Sequence, residues 1–241
     1  MELSKNYFLD GKIIIYQPKK GFRFSIDAPI LADFINIPQS NANLLEIGGG
    51  CGIISLILAK TKNFNKIYVL EIQDLMITAM KKSVKENGFE NLINIIRGDF
   101  KTPPFKKKFD IILSNPPYIK KDSGKLPANS NKRIAKFEIE LNMRTILGNS
   151  FNLLKNNGSL YLIYPYKRKK ELRKEVKNKD YFISRERIVL PRKNRTPVFY
   201  MVELTKIKND NTNSDYIILE DENGNYKEEI ENILRGRNVY N

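Results

Sequence analysis

Short apolar runs alternate with helical segments along most of this chain, and that alternation limits the fold more than any other feature. NLLEI (43–47), KIYVLEI (66–72), INIIRGD (93–99), FDIILS (109–114) and SLYLIYP (159–165) read as strands. Between them, GIISLILAK (52–60), DLMITAMKKSVKENG (74–88) and a long segment ending near Gly158 (132–158) read as helices. The strands are near-continuously apolar, so both of their faces must be covered. That is the pattern of a parallel sheet with helices on each side. KRKKELRKEVKN (167–178) adds a helix, and ISRERIVL (183–190) and PVFYMVELTKI (197–207) add strands. Ahead of all this, YFLDGKIIIYQ (7–17) reads as a hairpin, because Asp-Gly between apolar runs favours a type I′ turn. DAPILADFI (27–35) reads as a short helix with Asp27 as N-cap and Pro29 in its first turn, and Asp74 caps its own helix likewise. The expectation is an α/β fold with a mostly parallel seven-stranded sheet. One domain spans 1–207, with the hairpin and helix in 1–42. KIKNDNTNSD (206–215) is linker-like. Residues 208–241 form a short extension: a strand or hairpin, then an amphipathic helix.

Composition narrows the chemistry. Histidine is absent, which excludes Ser-His triads, histidine general bases and the usual zinc sites, so no metal is expected. One cysteine, Cys51, excludes an internal disulfide and suits a reducing cytoplasm. Its place at a helix start reads as small-residue packing rather than nucleophilic chemistry. No apolar run reaches the roughly 20 residues that span a bilayer, and no signal peptide is expected. Lys plus Arg is 42 against 27 Asp plus Glu, a net charge of +15. Such an excess favours a polyanionic partner, although a lysine-rich, Asn- and Ile-rich composition can also arise from base bias alone. The basic residues cluster at 106–108, at Lys120 and Lys121, at 167–174 with Lys167 and Arg168, and at 185–195 with Arg192, Lys193 and Arg195. Clusters on either side of the motif described below favour nucleic acid.

LLEIGGGCGIISL places Gly48, Gly50 and Gly52 between the first sheet strand and its helix. Glycine there allows tight backbone angles and close approach of a ligand. The dinucleotide fingerprint G-x-G-x-x-G/A fails, since its third site falls on Ile53. The spacing E-x-G-x-G-x-G instead resembles the nucleotide-binding loop of S-adenosylmethionine-dependent methyltransferases, with a Rossmann-like class I fold. The resemblance implies that Glu46 meets the positively charged methionine end of the cofactor. Glu71, 19 residues after Gly52, would accept from the ribose hydroxyls, and Asp99 would meet the adenine amino group. Ile72 and Phe100 stand beside these acids. All three acids end successive strands, where parallel sheets bind ligands.

The fourth strand ends in SNPPYIK. Proline cannot donate to a ladder, so Pro116 and Pro117 stop the strand on a stiff turn. Asn115, Pro116, Pro117 and Tyr118 resemble the (D/N)PP(Y/F) signature of amino-methyltransferases. The target nitrogen there has a delocalised lone pair and needs two acceptors on its N–H bonds. The Asn115 side-chain oxygen and the Pro116 carbonyl can supply them, and Tyr118 can stack on a planar target.

GFRFSIDAPILADFI, the RIAKFEI run after the motif, GSLYLIYPYKRKKEL and RTPVFYMVEL are similar to the bacterial tRNA1(Val) (adenine-37-N6)-methyltransferase family, over nearly the whole chain. The tail LEDENGNYKEEIENIL is similar to tails of Gram-positive-type members. That resemblance implies N6-methylation of a tRNA adenine flipped into the pocket, with Phe24, Ser25 and Asp27 bordering the methionine end of the cofactor. Phe24 can equally be core, and Asp27 a helix cap. Phe137 stands where the family usually carries histidine, so a histidine contact to RNA is not carried over. Three other functions use related parts. A release-factor glutamine methyltransferase carries a sizeable helical domain ahead of the loop, and only about 45 residues precede it here. A ribosomal RNA guanine-N2 methyltransferase often has a duplicated domain. A non-catalytic RNA-binding subunit would tolerate a degraded loop and motif, and both are intact.

Overall fold

A computed structural model, which describes residues 2–20, 23–37, 41–116, 142–208 and 212–237, gathers the apolar runs into one eight-stranded sheet. Pro117, Tyr118, Lys120, Lys121, Phe137 and the RIAKFEI run lie outside the described residues. A separate hairpin, β1 (Leu3–Phe8) and β2 (Ile13–Pro18), comes first, followed by α1 (Asp27–Phe34). Then come β3 (Ala42–Ile47), α2 (Ile53–Thr61), β4 (Phe64–Glu71), α3 (Asp74–Glu86), β5 (Ile93–Arg97) and β6 (Phe109–Ser114). The second half holds α4 (Met143–Leu153), β7 (Leu154–Pro165), α5 (Lys169–Lys177), β8 (Phe182–Leu190), β9 (Phe199–Thr205), β10 (Asn213–Ile218) and α6 (Glu228–Arg235). The sheet order is β10-β8-β9-β7-β6-β3-β4-β5, with β9 antiparallel to both neighbours and every other pair parallel.

Continuous apolarity in the central strands follows from their position, because successive residues pack on opposite faces. Leu44 and Leu113 join a cluster with Leu31, Ile54, Met80 and Val84 from α1, α2 and α3. Leu45 and Ile112 join Ile146, Leu147 and Leu172 from α4 and α5 on the other face. Each such fully buried Leu or Ile contributes roughly 1.5–3 kcal/mol relative to exposure.

The hairpin turns where Asp10-Gly11 required it, with φ of 53° and 81° at those residues. It is tied to α3 by polar side chains: the Tyr16 N–H donates to Ser83 Oγ at 2.8 Å, and the Ile14 N–H to Asn87 Oδ1 at 2.9 Å.

Three expectations need correction. Helix and strand exchange residues 154–158. The helix ends at Leu153, and Leu154 already pairs with Phe109 across a register shift. Gly158 is no helix stop. A Cβ there would lie 2.7 Å from the Asp110 carbonyl oxygen, so glycine permits close strand approach. Neither Asp27 nor Asp74 is an N-cap. Both are first helical residues, behind Ile26 and Gln73. The sheet has eight strands rather than seven, because the tail adds β10 at its edge beside β8. Ile217, Leu219, Ile230 and Ile233 of the tail enter the same cluster as α1.

Candidate active site

The chain leaves β3 toward β4 and β5, then crosses back to β6 on β3's other side. Strand order therefore reverses at the carboxyl ends of β3 and β6, where open α/β sheets form their ligand crevice. The glycine loop follows β3 and Asn115 follows β6. Ser114 locks the two ends together by donating its hydroxyl to the Ile47 carbonyl at 3.0 Å.

Glu71 organises the loop. Its Oε2 accepts from the Gly50 N–H, and its Oε1 accepts from the N–H groups of Ile72 and Gln73, all at 2.8 Å. Gly50 holds φ of 54°, and a Cβ there would meet nothing within 4 Å. Protein packing does not demand glycine at this position; the positive backbone angle favours it. Gly52, at φ 84°, does face a wall, since a Cβ would come 2.6 Å from Met80. Gly48 also takes a positive φ and donates to the Leu70 carbonyl at 2.8 Å.

Glu46 is 2% exposed. Burial pushes its carboxyl up to about 7; the bonds from Ser55 pull it down, and the charge of Glu71 adds a smaller push upward. Both the hydroxyl and the N–H of Ser55 donate to Glu46 Oε2. Sequence reasoning missed Ser55, whose signal was a lone polar residue inside the apolar run GIISLILAK. Cys51 is buried, which pushes its thiol up to about 12, so it holds no thiolate at neutral pH.

Asp99 is half-buried after β5 and accepts the Lys101 N–H at 2.8 Å. Phe100 is a core residue of the α4 and α5 face. Its carbonyl accepts from Asn149 Nδ2 at 2.6 Å, a fastening from α4 that the sequence did not signal.

The N-terminal segment closes onto Asn115. Asp27 is 5% exposed, and its Oδ2 accepts from Asn115 Nδ2 at 3.0 Å. Its Oδ1 accepts from the Ser25 hydroxyl. Phe24 is half-buried, stacks edge-on against Phe8 at 5.6 Å, and donates its N–H to Gln17 Oε1 at 3.3 Å. Pro116 is buried.

The basic expectations divide. β7 and β8 run parallel to β6, so the turn Tyr166–Arg168 and the loop after Leu190 emerge on the same edge as Asn115. The Tyr166 N–H donates to the Val198 carbonyl at 2.9 Å and joins them. Lys167, Lys193 and Arg195 are exposed there. Arg168 departs from the expected RNA surface. It is buried, forks onto Glu171 at 3.1 and 3.0 Å, and lies 5.0 Å from the Tyr164 ring centre. Arg192 is half-exposed and pairs with Glu220 of the tail at 2.9 Å. Among the described residues, no group of three or more acids, cysteines or histidines could hold a metal. No helix among them is long and apolar enough to cross a membrane.

A family model described as a methyltransferase small domain matches residues 27–187, from the start of α1 into β8. A tRNA1(Val) (adenine(37)-N6)-methyltransferase of Flavobacteriaceae bacterium strain 3519-10 is 24% identical, covering 87% of this chain and 88% of that protein. A protein of the same name from Histophilus somni is 26% identical, covering 96% and 97%. Among solved structures, a predicted O-methyltransferase from Agrobacterium tumefaciens superposes with a TM-score of 0.65 at 15% identity, over 88% of this chain and 97% of that one.

Proposed function

The chain belongs to the methyltransferase small domain family, and from that premise we propose that it methylates N6 of an adenine in tRNA, adenine 37 of tRNA-Val being the first candidate. The substrate reading rests on the relatives' shared activity and on the position of Asn115. An amide acceptor ends β6 directly across the strand-order reversal from a glycine loop. A carboxamide and a proline carbonyl suit an exocyclic amine, which presents two N–H bonds and no basic lone pair.

S-adenosylmethionine, when bound, supplies a methyl group on a sulfonium, an electrophile that needs no further activation. The residues fit such a ligand. Gly50 leaves open space where a side chain would stand, and Glu46 and Glu71 offer buried carboxylates to a cation with ribose hydroxyls. In this reading Glu46 faces the methionine end, Glu71 accepts from the ribose, and Asp99 with Phe100 borders the adenine. Phe24 and Ser25 cover the site from the N-terminal side.

Asn115 accepts one target N–H bond and the Pro116 carbonyl the other. Held from two sides, the nitrogen can pyramidalise toward the methyl group. As the N–CH3 bond forms, the S–CH3 bond would break to leave a neutral thioether, and the surplus N–H proton would pass from its hydrogen bond to solvent. Neither acceptor has to ionise, so a chain without histidine can perform the step. By the resemblance of the motif, Tyr118 is the residue assigned to stacking on the base. Lys167, Lys193 and Arg195 lie on the same edge as the pocket, where phosphates of the surrounding RNA loop would pass.

Incubation of purified protein with unmodified tRNA and labelled S-adenosylmethionine, followed by nucleoside mass spectrometry, tests this. N6-methyladenosine should form. Methylguanosine, methylated protein or no product at all would overturn the substrate reading.

A further inference from the structure

Two-sided capture of an amine requires Asn115 to present an oxygen, not an NH2 group, to the target. An asparagine amide is nearly symmetric in shape, and a half-turn about its last torsion exchanges acceptor for donor. A reversed amide would set two donors against each other. Something must select the orientation, and Asp27 is placed to do so. Its carboxylate oxygen lies 3.0 Å from Asn115 Nδ2, from a residue 5% exposed at the start of α1. An ionised carboxylate only accepts, so it meets only the NH2 end of the amide. Oδ1 is then the other in-plane arm of the amide, pointing away from the Asp27 carboxylate.

Helix capping does not explain the position of Asp27. The cap residue of α1 is Ile26, whose own side chain makes no capping bond. The Ser25 hydroxyl holds the second carboxylate oxygen instead. The segment bearing both residues follows the hairpin that α3 anchors through Ser83 and Asn87.

We infer that Asp27 is a positioning residue for methyl transfer, which fixes the rotamer of Asn115 through a part-buried hydrogen bond to its carboxylate so that Oδ1 faces the substrate amine. The inference rests on the amino-methyltransferase reading of Asn115. A negative partner on Nδ2 also polarises the amide, which strengthens Oδ1 as an acceptor.

The test compares wild type, D27N, N115D and the D27N/N115D double variant of the full chain. The readouts are single-turnover transfer to unmodified tRNA, calorimetric S-adenosylmethionine affinity, and the side-chain amide resonances of Asn115 in 15N-labelled protein. D27N should slow transfer by about 10- to 100-fold, as expected for losing one charge-assisted bond, while cofactor affinity stays within about threefold. The Asn115 amide resonances should shift in D27N. N115D alone brings two carboxylates to hydrogen-bond distance and should be at least as slow. The double variant exchanges donor and acceptor across the same pair, so it should exceed either single variant by about tenfold or more, a coupling that double-mutant cycles isolate. Wild-type transfer in D27N would overturn the inference. So would cofactor affinity falling in proportion to transfer, which would make Asp27 a cofactor ligand. A double variant no faster than the product of the single effects would also overturn it. If D27N fails to fold, N115D against the double variant still decides, because relief of the paired carboxylates is the expected result. If wild type transfers nothing to tRNA, the substrate reading fails by itself. The Asn115 resonances then decide alone, and their being unchanged in D27N overturns the pair.

Discussion

Replacing Glu46 with glutamine should stabilise the cofactor-free protein at alkaline pH and weaken cofactor binding. Burial raises the Glu46 carboxyl from 4.5 to about 7. The folded state therefore holds this proton more tightly than the unfolded state does. Stability falls as pH rises through the window from 4.5 to about 7 and stays low above it. The difference, 7 − 4.5 = 2.5, at 1.36 kcal/mol per pH unit, amounts to about 3 kcal/mol at pH 8. Glutamine matches the shape, never ionises, and can accept both bonds that Ser55 donates. At roughly 2–4 °C per kcal/mol for a chain of this size, E46Q should melt up to roughly 6–12 °C above wild type at pH 8. Near pH 5 the two should melt together. Cofactor binding runs the other way. A cationic methionine end beside Glu46 favours the ionised form, so wild-type affinity should climb through pH 7, with proton release on binding below that. E46Q should bind more weakly and with little pH dependence. Melting curves from pH 5 to 8.5 and calorimetry in buffers of different ionisation enthalpy measure both effects. A melting difference that does not change with pH would show that Glu46 titrates as an ordinary carboxylate and would refute the reasoning.

Other outcomes follow from the same geometry. Asn115→Ala removes one acceptor and should slow single-turnover transfer by about two to three orders of magnitude, with cofactor affinity retained; unchanged transfer would mean that Asn115 only ends a strand. Glu71→Ala leaves the Gly50, Ile72 and Gln73 N–H groups without their acceptor and should weaken cofactor binding by roughly 1–3 kcal/mol by calorimetry. Reversing charge at Lys167, Lys193 and Arg195 should weaken tRNA binding without touching cofactor affinity. Each lost phosphate contact should flatten the log–log salt slope by roughly 0.7–0.9.

Local signals carried most of the fold. Continuous apolar strands, the Asp-Gly turn and the spacing of helix and strand each depend on neighbouring residues, and those elements stand where periodicity put them. The glycine loop was legible for the same reason, since Gly48, Gly50 and Gly52 all take positive φ within five residues of chain. The exchange at 154–158 was not. LKNNG has helix-compatible residues ending in glycine, and only the approach of Asp110 from another strand shows why glycine is there. The tail strand was expected, but its pairing beside β8 was not, and neither was its start inside the linker-like stretch, because Asn213, Ser214, Asp215 and Tyr216 are exposed and lack the apolar signature of the other strands.

Partners across the fold were the least legible part of the site. Asp27 and Asn115 are 88 residues apart, and no spacing rule links them. The same limit governs the reading of charge. KRKKELRK counts six basic residues at 167–174, which in sequence looks like one phosphate-binding stripe. Arg168 turns inward to Glu171, and Arg173 reaches Glu186 at 2.6 Å, which pushes its guanidinium further up. Those two charges complete the protein's own ion pairs and add little to the field that an RNA backbone would meet. Among the described residues, Lys167 and the distant loop bearing Lys193 and Arg195 place exposed positive charge on the edge where β6 ends. Because β7 and β8 run parallel to β6, that loop and Asn115 share one edge of the sheet. A salt slope that loses only a few phosphate contacts when 167–174 is neutralised would therefore agree with this surface, and one that loses the whole cluster would contradict the pairing of Arg168 with Glu171 and of Arg173 with Glu186.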